Sequence, residues 1–338
     1  MSHLALFLRR YAVTVLVALP LLVFTNACSD DDDDPIIPSV DEAALLVAEL
    51  EGANGDYMNT AAPAIVSAQE VYEDVNGAKK WYILDIRAAA DYAKGHIAGA
   101  VNVPIANVLT HMAGVNMANY DKIAVICYTG QSAAWTTAIL RMSGYTKAFS
   151  MKFGMSSWHS DFDNITSKLN SDKESQFVTT ASPAKPAAGN LPTVNTGKAT
   201  GAEILKDRIA AIHAEGYSKS AIDAATVFTN LSQYYIINYW SVTDYTGIGH
   251  IPGSLQYTPK ADLKLASNLK TLPTDKTIVV YCYTGQTSAN VAAILRVMGY
   301  DAKSLAFGTQ GMIADKMKTA GKTVYQNAVD CKNFDYVK

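Results

Sequence analysis

Excess charge of either sign is scarce in this chain. Its 338 residues carry 28 Lys and Arg against 31 Asp and Glu, a formal net charge of −3. Residues 1–34 account for all of that excess, because Arg9 and Arg10 stand there against the run Asp30 to Asp34. The remainder is neutral and leaves no electrostatic footprint for nucleic acid. Long apolar runs are also lacking. The longest, from about Tyr11 to Phe24, is too short to cross a bilayer comfortably and has the length of a signal-peptide core. Cysteine is rare as well, with only Cys28, Cys127, Cys282 and Cys331 in the chain. The charged and apolar fractions are otherwise those of a globular protein, and the length suits about two domains.

The N-terminus has a basic start at Arg9 and Arg10, the apolar core, and a small-residue exit at Thr25-Asn26-Ala27-Cys28. It resembles a bacterial lipoprotein signal, although Asn26 departs from the usual small residue. The resemblance implies removal of residues 1–27 and lipidation of Cys28. Acyl chains there would anchor the protein strongly, since each buried methylene contributes about 0.8 kcal/mol. The run Ser29 to Asp34 reads either as the acidic export signal of some surface lipoproteins or as a solvated tether. Residues 28–40 are expected to link the anchor to the body. The expected location is the cell envelope, on the outer membrane, at its periplasmic or its surface face.

What the chain does contain is a duplication. Cys127-Tyr128-Thr129-Gly130-Gln131-Ser132 follows the apolar run Ile123-Ala124-Val125-Ile126, and Cys282-Tyr283-Thr284-Gly285-Gln286-Thr287 follows Ile278-Val279-Val280-Tyr281. Each loop leads into a helical stretch, the first ending Ile139-Leu140-Arg141-Met142 and the second Ile294-Leu295-Arg296-Val297-Met298. A buried strand feeding a polar loop that opens a helix is how an α/β protein presents a reactive group at the carboxyl ends of its strands.

The surroundings repeat too. A helix is expected from about Asp41 to Glu51, with Ala44, Leu45, Val47, Ala48 and Leu50 on its apolar side. Ser67 is expected to cap a helix from Ala68, before a strand at Trp81 to Leu84. The second half carries a helix at about Ala202 to Ala214, a helix capped by Ser220, and a strand at Tyr234 to Ile237. Gly95-His96-Ile97 is matched by Gly249-His250-Ile251, and Phe153-Gly154 by Phe307-Gly308. Residues 171–198, rich in Ser, Thr, Pro and Ala, read as a linker between a unit at 41–170 and a unit at 199–338. Alternating strands and helices imply an α/β fold: two domains, each a mostly parallel sheet with helices on both faces.

In this order and spacing the motifs resemble the rhodanese family of sulfurtransferases, in its tandem-domain form, over about residues 60–160 and 215–315. The resemblance implies a persulfide enzyme. Its loop cysteine takes sulfane sulfur from a donor such as thiosulfate and passes it to a thiophilic acceptor, cyanide or a thiol. Cys127 is the surer nucleophile and Cys282 the second. No organic cofactor or metal is called for, because the persulfide carries the sulfur, and the protein partner stays open. Related phosphatases and arsenate reductases close such a loop with arginine. Here the sixth residue after each cysteine is Ala133 or Ser288, and neither loop holds Arg or Lys, which disfavours phosphoryl transfer.

Sulfur transfer needs a thiolate, and an ordinary cysteine of pKa near 8.5 is only a few per cent ionised at pH 7. Loop amides and the start of the following helix can hold the charge; a shift of two units asks for about 2.7 kcal/mol. The alternative is a pair of inert, apolar-packed cysteines. Gly130 and Gly285 let the loop curl. Thr129, Gln131, Ser132, Thr284, Gln286 and Thr287 can donate to an anionic substrate or cap the helix, with Ser132 and Thr287 the expected caps. Tyr128 and Tyr283 complete the two loops. In the family an arginine two residues past the strand-end aspartate approaches the active-site loop. Arg87 is therefore either an oxyanion ligand or a structural partner of Asp85. The second unit has Asn238 and Trp240 at these places and so lacks that cation for anionic donors. His96 and His250 read as structural, and Cys331 as a structural or free thiol. A second class of reading is open: one or both units are non-catalytic interaction modules or persulfide carriers.

Overall fold

The computed structural model describes residues 40–78 and 80–338. The signal segment, Cys28 and all of the tether except Val40 lie outside the described residues. Helix α1 (Glu42–Glu51) is capped by Asp41, whose carboxylate accepts from the Ala44 amide. Its buried stripe is Ala43, Leu46, Val47 and Leu50, spaced one helical turn apart, whereas Ala48 of the expected stripe faces out. Helix α2 (Ala68–Asn76) starts at a full capping box between Ser67 and Glu70.

The first sheet contains β1 (Ile65–Val66), β2 (Trp81–Asp85), β3 (Val101–Asn102), β4 (Lys122–Ile126) and β5 (Ala148–Met151), in the order β1-β5-β4-β2-β3 and parallel throughout. Helix α3 (Gln131–Met142) follows β4. Alternate β4 residues enter different cores. Ala124 and Ile126 pack with Val71 of α2, while Ile123 and Val125 pack with Ala133 and Leu140 of α3. A strand covered on both faces is apolar at every position, which is why β4 reads as an unbroken run.

The second unit opens with α4 (Gly201–Glu215) and repeats the plan with β6 (Ala221–Ile222), α5 (Ala224–Thr229), β7 (Tyr235–Asn238), β8 (Leu255–Gln256), β9 (Ile278–Tyr281), α6 (Gln286–Val297) and β10 (Ala302–Leu305). Its order, β6-β10-β9-β7-β8, is that of the first sheet, again all parallel. One expectation fails here. Ser220 does not cap α5; Asp223 does, accepting from the Thr226 amide. Ser220 is buried instead, and its hydroxyl accepts from Trp135 Nε1 of the first unit at 2.9 Å.

The units exchange their trailing segments. After the first unit the chain pairs Val178 with His250 in an antiparallel bridge, and Phe177 enters the second core beside Trp240 and Ile251. After the second unit the chain returns to pair Val337 with His96, and Phe334 and Tyr336 pack on the first core. Residues 171–198 are thus a strap on the second unit as well as a connection. The last residues, counted with 199–338 on sequence, pack on the first unit. The two histidines behave alike: each Nδ1 meets a tyrosine carbonyl oxygen, and each ring stacks on that tyrosine, His96 on Tyr92 and His250 on Tyr245. Each ring is thus held within its own unit.

Candidate active site

The central strands end at Ile126 and Tyr281, so the next residues, Cys127 and Cys282, stand at the carboxyl edge of each sheet. Each loop then turns through a glycine in the left-handed region, Gly130 at φ 82° and Gly285 at φ 84°, which serves as the N-cap of α3 or α6. This turn points backbone amides inward at the sulfur. Cys127 Sγ accepts from Gly130 N at 3.1 Å and from Ala133 N at 3.4 Å. Cys282 Sγ accepts from Gly285 N at 3.2 Å and from Ser288 N at 3.4 Å. Both thiols are free, and each residue is only 4% exposed. Amides aimed at one atom from a helix start stabilise negative charge on it.

The glycine turns at the ends of β5 and β10 hold these loops from behind. Met155 N and Ser156 N donate to the carbonyls of Cys127 and Tyr128, at 2.8 and 3.0 Å. Thr309 N and Gln310 N do the same for Cys282 and Tyr283, both at 3.0 Å. With the loop carbonyls occupied outward, the amides are left to face the sulfur.

The expected helix caps are not caps. Ser132 and Thr287 sit partly exposed in the first turn of their helices, and neither helix start has a side-chain cap bond. The glutamines do not line a substrate pocket either. Gln131 and Gln286 are 4% and 2% exposed and cross between the units. Gln131 Oε1 accepts from Phe307 N at 2.8 Å, and Gln286 Oε1 accepts from Phe153 N at 3.1 Å. Each glutamine also fills the space a Cβ would need on the opposite loop glycine, Gly285 or Gly130. Thr129 Oγ1 accepts from Gln131 Nε2 at 3.2 Å, and Thr284 is partly exposed.

Arg87 lies just past β2, 4% exposed, with its charge committed to Asp85. Nε and Nη2 grip the two carboxylate oxygens at 3.0 and 2.6 Å, and Nη2 also donates to Gly95 O. The guanidinium lies 5.1 Å from the centroid of the Tyr128 ring and 5.5 Å from that of Phe162, while Nη1 has no partner among the described residues. Of the two readings of Arg87, the ion pair is the one seen. In the second unit Asn238 Nδ2 donates to Tyr281 OH, and the Trp240 ring lies 4.9 Å from that of Tyr283. Where the first loop tyrosine meets a cation, the second meets an indole. Tyr283 also donates to Asp244, which Lys322 pairs at 2.6 Å. Burial and that carboxylate push the Tyr283 phenol up from its ordinary value.

One residue packed against Trp135 gave no signal in the sequence. Tyr217 lies in the short turn before β6, edge-on to Trp135 at 6.5 Å. Burial raises its phenol well above the ordinary tyrosine value. It lies outside every repeated motif, so no pattern marks it. Cys331 is buried, which raises its thiol pKa, and it belongs to the returning strap.

The family profile described as Rhodanese-like domain matches the chain twice, at residues 67–161 and 230–315. Thiosulfate sulfurtransferase GlpE of Shewanella oneidensis is 36% identical over 83 residues, 24% of this chain and 79% of that protein. The putative sulfur carrier protein YrkF of Bacillus subtilis is 27% identical over 93 residues, 28% of this chain; the match spans about half of YrkF, 49%. Among solved structures, a thiosulfate sulfurtransferase from Pseudomonas aeruginosa aligns with 78% of this chain and 45% of its own at 17% identity and a TM-score of 0.29. Two profile matches that together span more than half of the residues, on two parallel sheets of identical strand order, place the chain in the rhodanese-like family.

Proposed function

We propose that this protein is a sulfurtransferase that moves sulfane sulfur from a donor such as thiosulfate to cyanide or a thiol through a persulfide on Cys127, with Cys282 as a second carrier. The pair of backbone amides on each sulfur carries this reading. As a thiolate, Cys127 Sγ attacks the sulfane sulfur of thiosulfate. The S–S bond of the donor breaks, sulfite leaves with its electron pair, and the new S–S bond is the cysteine persulfide. The acceptor then attacks the outer sulfur and the bonding pair returns to Sγ, so the cycle involves no net oxidation of the protein. The extra sulfur inherits the negative charge and stays near the same amides.

Near-complete burial of both thiols suits small donors and acceptors. Asp85 takes Nε and Nη2 of Arg87, so its Nη1 is the donor left to favour an anionic substrate beside Tyr128, whereas Trp240 supplies no such group in the second unit. Relatedness to the thiosulfate sulfurtransferases supports turnover, and the likeness to YrkF supports a second reading, that of a persulfide carrier serving a partner. The basic start, apolar core and Cys28 belong to the same proposal: a lipid anchor on the outer membrane of a bacterial envelope, with Asp30 to Asp34 in the tether. No helix among the described residues is long and apolar enough to cross a membrane.

Peptide mass spectrometry after incubation with thiosulfate tests the reading. One added sulfur on Cys127 that cyanide removes as thiocyanate is the expected result. A sulfur that stays until a protein thiol is supplied selects the carrier, and no added sulfur on either cysteine overturns both. Cys28→Ser should move the protein from the membrane to the soluble fraction.

A further inference from the structure

Phe153 and Phe307 have φ of 61° and 62°, a region that bulky residues enter only when their surroundings hold them there. Each begins the turn that clamps its own unit's cysteine loop. Gly154 and Gly308 follow, and then come the amides that bind the carbonyls of Cys127 and Tyr128, or of Cys282 and Tyr283. The side-chain acceptor for each strained amide comes from the other unit. Phe153 N donates to Gln286 and Phe307 N to Gln131, and each glutamine is the first residue of the helix that follows the opposite cysteine loop.

We infer that Gln131 and Gln286 are positioning residues that act in trans: each fixes the amide cradle of the cysteine on the opposite unit, so the two sites are coupled. The inference rests on the reading of Cys127 and Cys282 as nucleophiles. An alternative in which the glutamines merely fill the interface does not account for their bonding. Packing needs only volume, whereas both buried carboxamide oxygens fall on the one amide that starts the opposite clamp. The two crossings are also unequal. Gln286 holds the first site at two points, because its Nε2 donates to the carbonyl of Gly130, the residue whose own N–H faces Cys127 Sγ. The Nε2 of Gln131 turns back to Thr129 in its own loop, so it holds the second site at one point.

A crossed pattern of thiol reactivity follows, and it is read without any sulfur donor. In the full chain, Gln286→Met keeps the volume and removes the bonds. Alkylation by iodoacetamide, followed residue by residue with peptide mass spectrometry, should then slow about fivefold at Cys127, the factor that one net hydrogen bond represents. Cys282 should stay within about twofold, because its own clamp is still held by Gln131. Gln131→Met should give the mirror image with a smaller effect on Cys282. If a methionine variant fails to fold, Gln286→Asn and Gln131→Asn keep the amide but lose the reach, and they should show the same crossing. Slowing confined to the thiol on the mutated unit, or equal slowing of both thiols, overturns the inference. A crossed pattern in a protein that takes no sulfur from thiosulfate would leave the coupling standing and remove the enzymatic reading; sulfur transfer without the crossing would do the reverse.

Discussion

The two cysteine sites share a cradle and differ in what surrounds it. At both, a left-handed glycine and the third residue beyond it turn their amides onto the sulfur, at distances that agree within 0.1 Å. Around that constant, Asp85 and Arg87 in the first unit stand against Asn238 and Trp240 in the second, and Ala133 stands against Ser288. The cradle is backbone, so any sequence that keeps the curl keeps it. The neighbours are side chains, and each can change without disturbing the amides. The two copies therefore keep the same backbone cradle around the sulfur while the side chains about it differ.

The largest test of this comparison is removal of one sulfur at a time. Cys127→Ser should lower thiosulfate-to-cyanide turnover by about a thousandfold or more, since a hydroxyl is a far weaker nucleophile than a thiolate. Cys282→Ser should leave most of the turnover, because its site lacks the neighbouring cation. Equal losses in the two variants would mean that the charge difference does not set donor use.

Next in size is the ion pair. Asp85→Ala strands Arg87 in the core, where its side chain is 1% exposed, and should cost about 3–5 kcal/mol in urea unfolding. Asn238→Ala breaks the neutral bond to Tyr281 OH and should cost about 1–3 kcal/mol. Similar costs would show that the Asp85–Arg87 pair has no special structural weight.

A smaller effect is expected at the hydroxyl that only the second site has. Ser288 Oγ lies 3.5 Å from Cys282 Sγ and 2.8 Å from Ser304 Oγ. As a thiol Cys282 donates to that hydroxyl, which turns to donate once the sulfur is a thiolate, so Ser288→Ala should slow alkylation of Cys282 by up to about fivefold, the scale of one hydrogen bond. Ala133→Ser, which gives the first site the same group, should not slow Cys127. A faster Cys282 in Ser288→Ala would reverse the assigned role of that hydroxyl.

The smallest effect concerns the acids near the loop tyrosines. Burial alone would raise the Asp244 carboxyl, but bonds from Lys322, Tyr283 and Ser241 outweigh it and hold the pKa below the usual value. A lowered folded-state pKa stabilises the fold above the unfolded value, and this contribution is lost as pH falls through the folded one. Asp244→Asn should therefore cost about 1 kcal/mol or less at pH 7, with the gap to the unaltered protein closing below about pH 4. Asp91, lowered by Lys94 at a more exposed position, should show less. A gap that widens as the solution is acidified would contradict the sign.

Much of the fold was legible because it depends on local pattern. The apolar runs before Cys127 and Cys282 marked central strands, Ser67 marked a helix start, and the repeated order of motifs marked two like sheets. Boundaries failed where two residues competed for one role, as when Asp223 capped the helix assigned to Ser220. At the site, the amide cradle around each of the two thiols was legible, since strand, glycine and helix fall within a few residues. The roles of Gln131 and Gln286 were not. Their donors, Phe307 and Phe153, lie 176 and 133 residues away, and a glutamine after a glycine looks the same whether it faces a substrate or a neighbour. Tyr217 was invisible for a similar reason, because its contact with Trp135 of the first unit arises from packing alone.

Short-range chemistry could be read along the chain. Hydrophobic periodicity, glycine's access to positive φ, and the distance from a strand end to the next helix were enough to say that two thiols sit among amides. Those relations span one helical turn and hardly depend on what else is nearby. Packing of one unit on the other settled the rest: the crossed glutamines and the exchanged straps. Such contacts join residues far apart in the chain, and they form only once two cores lie close enough to exclude water between them.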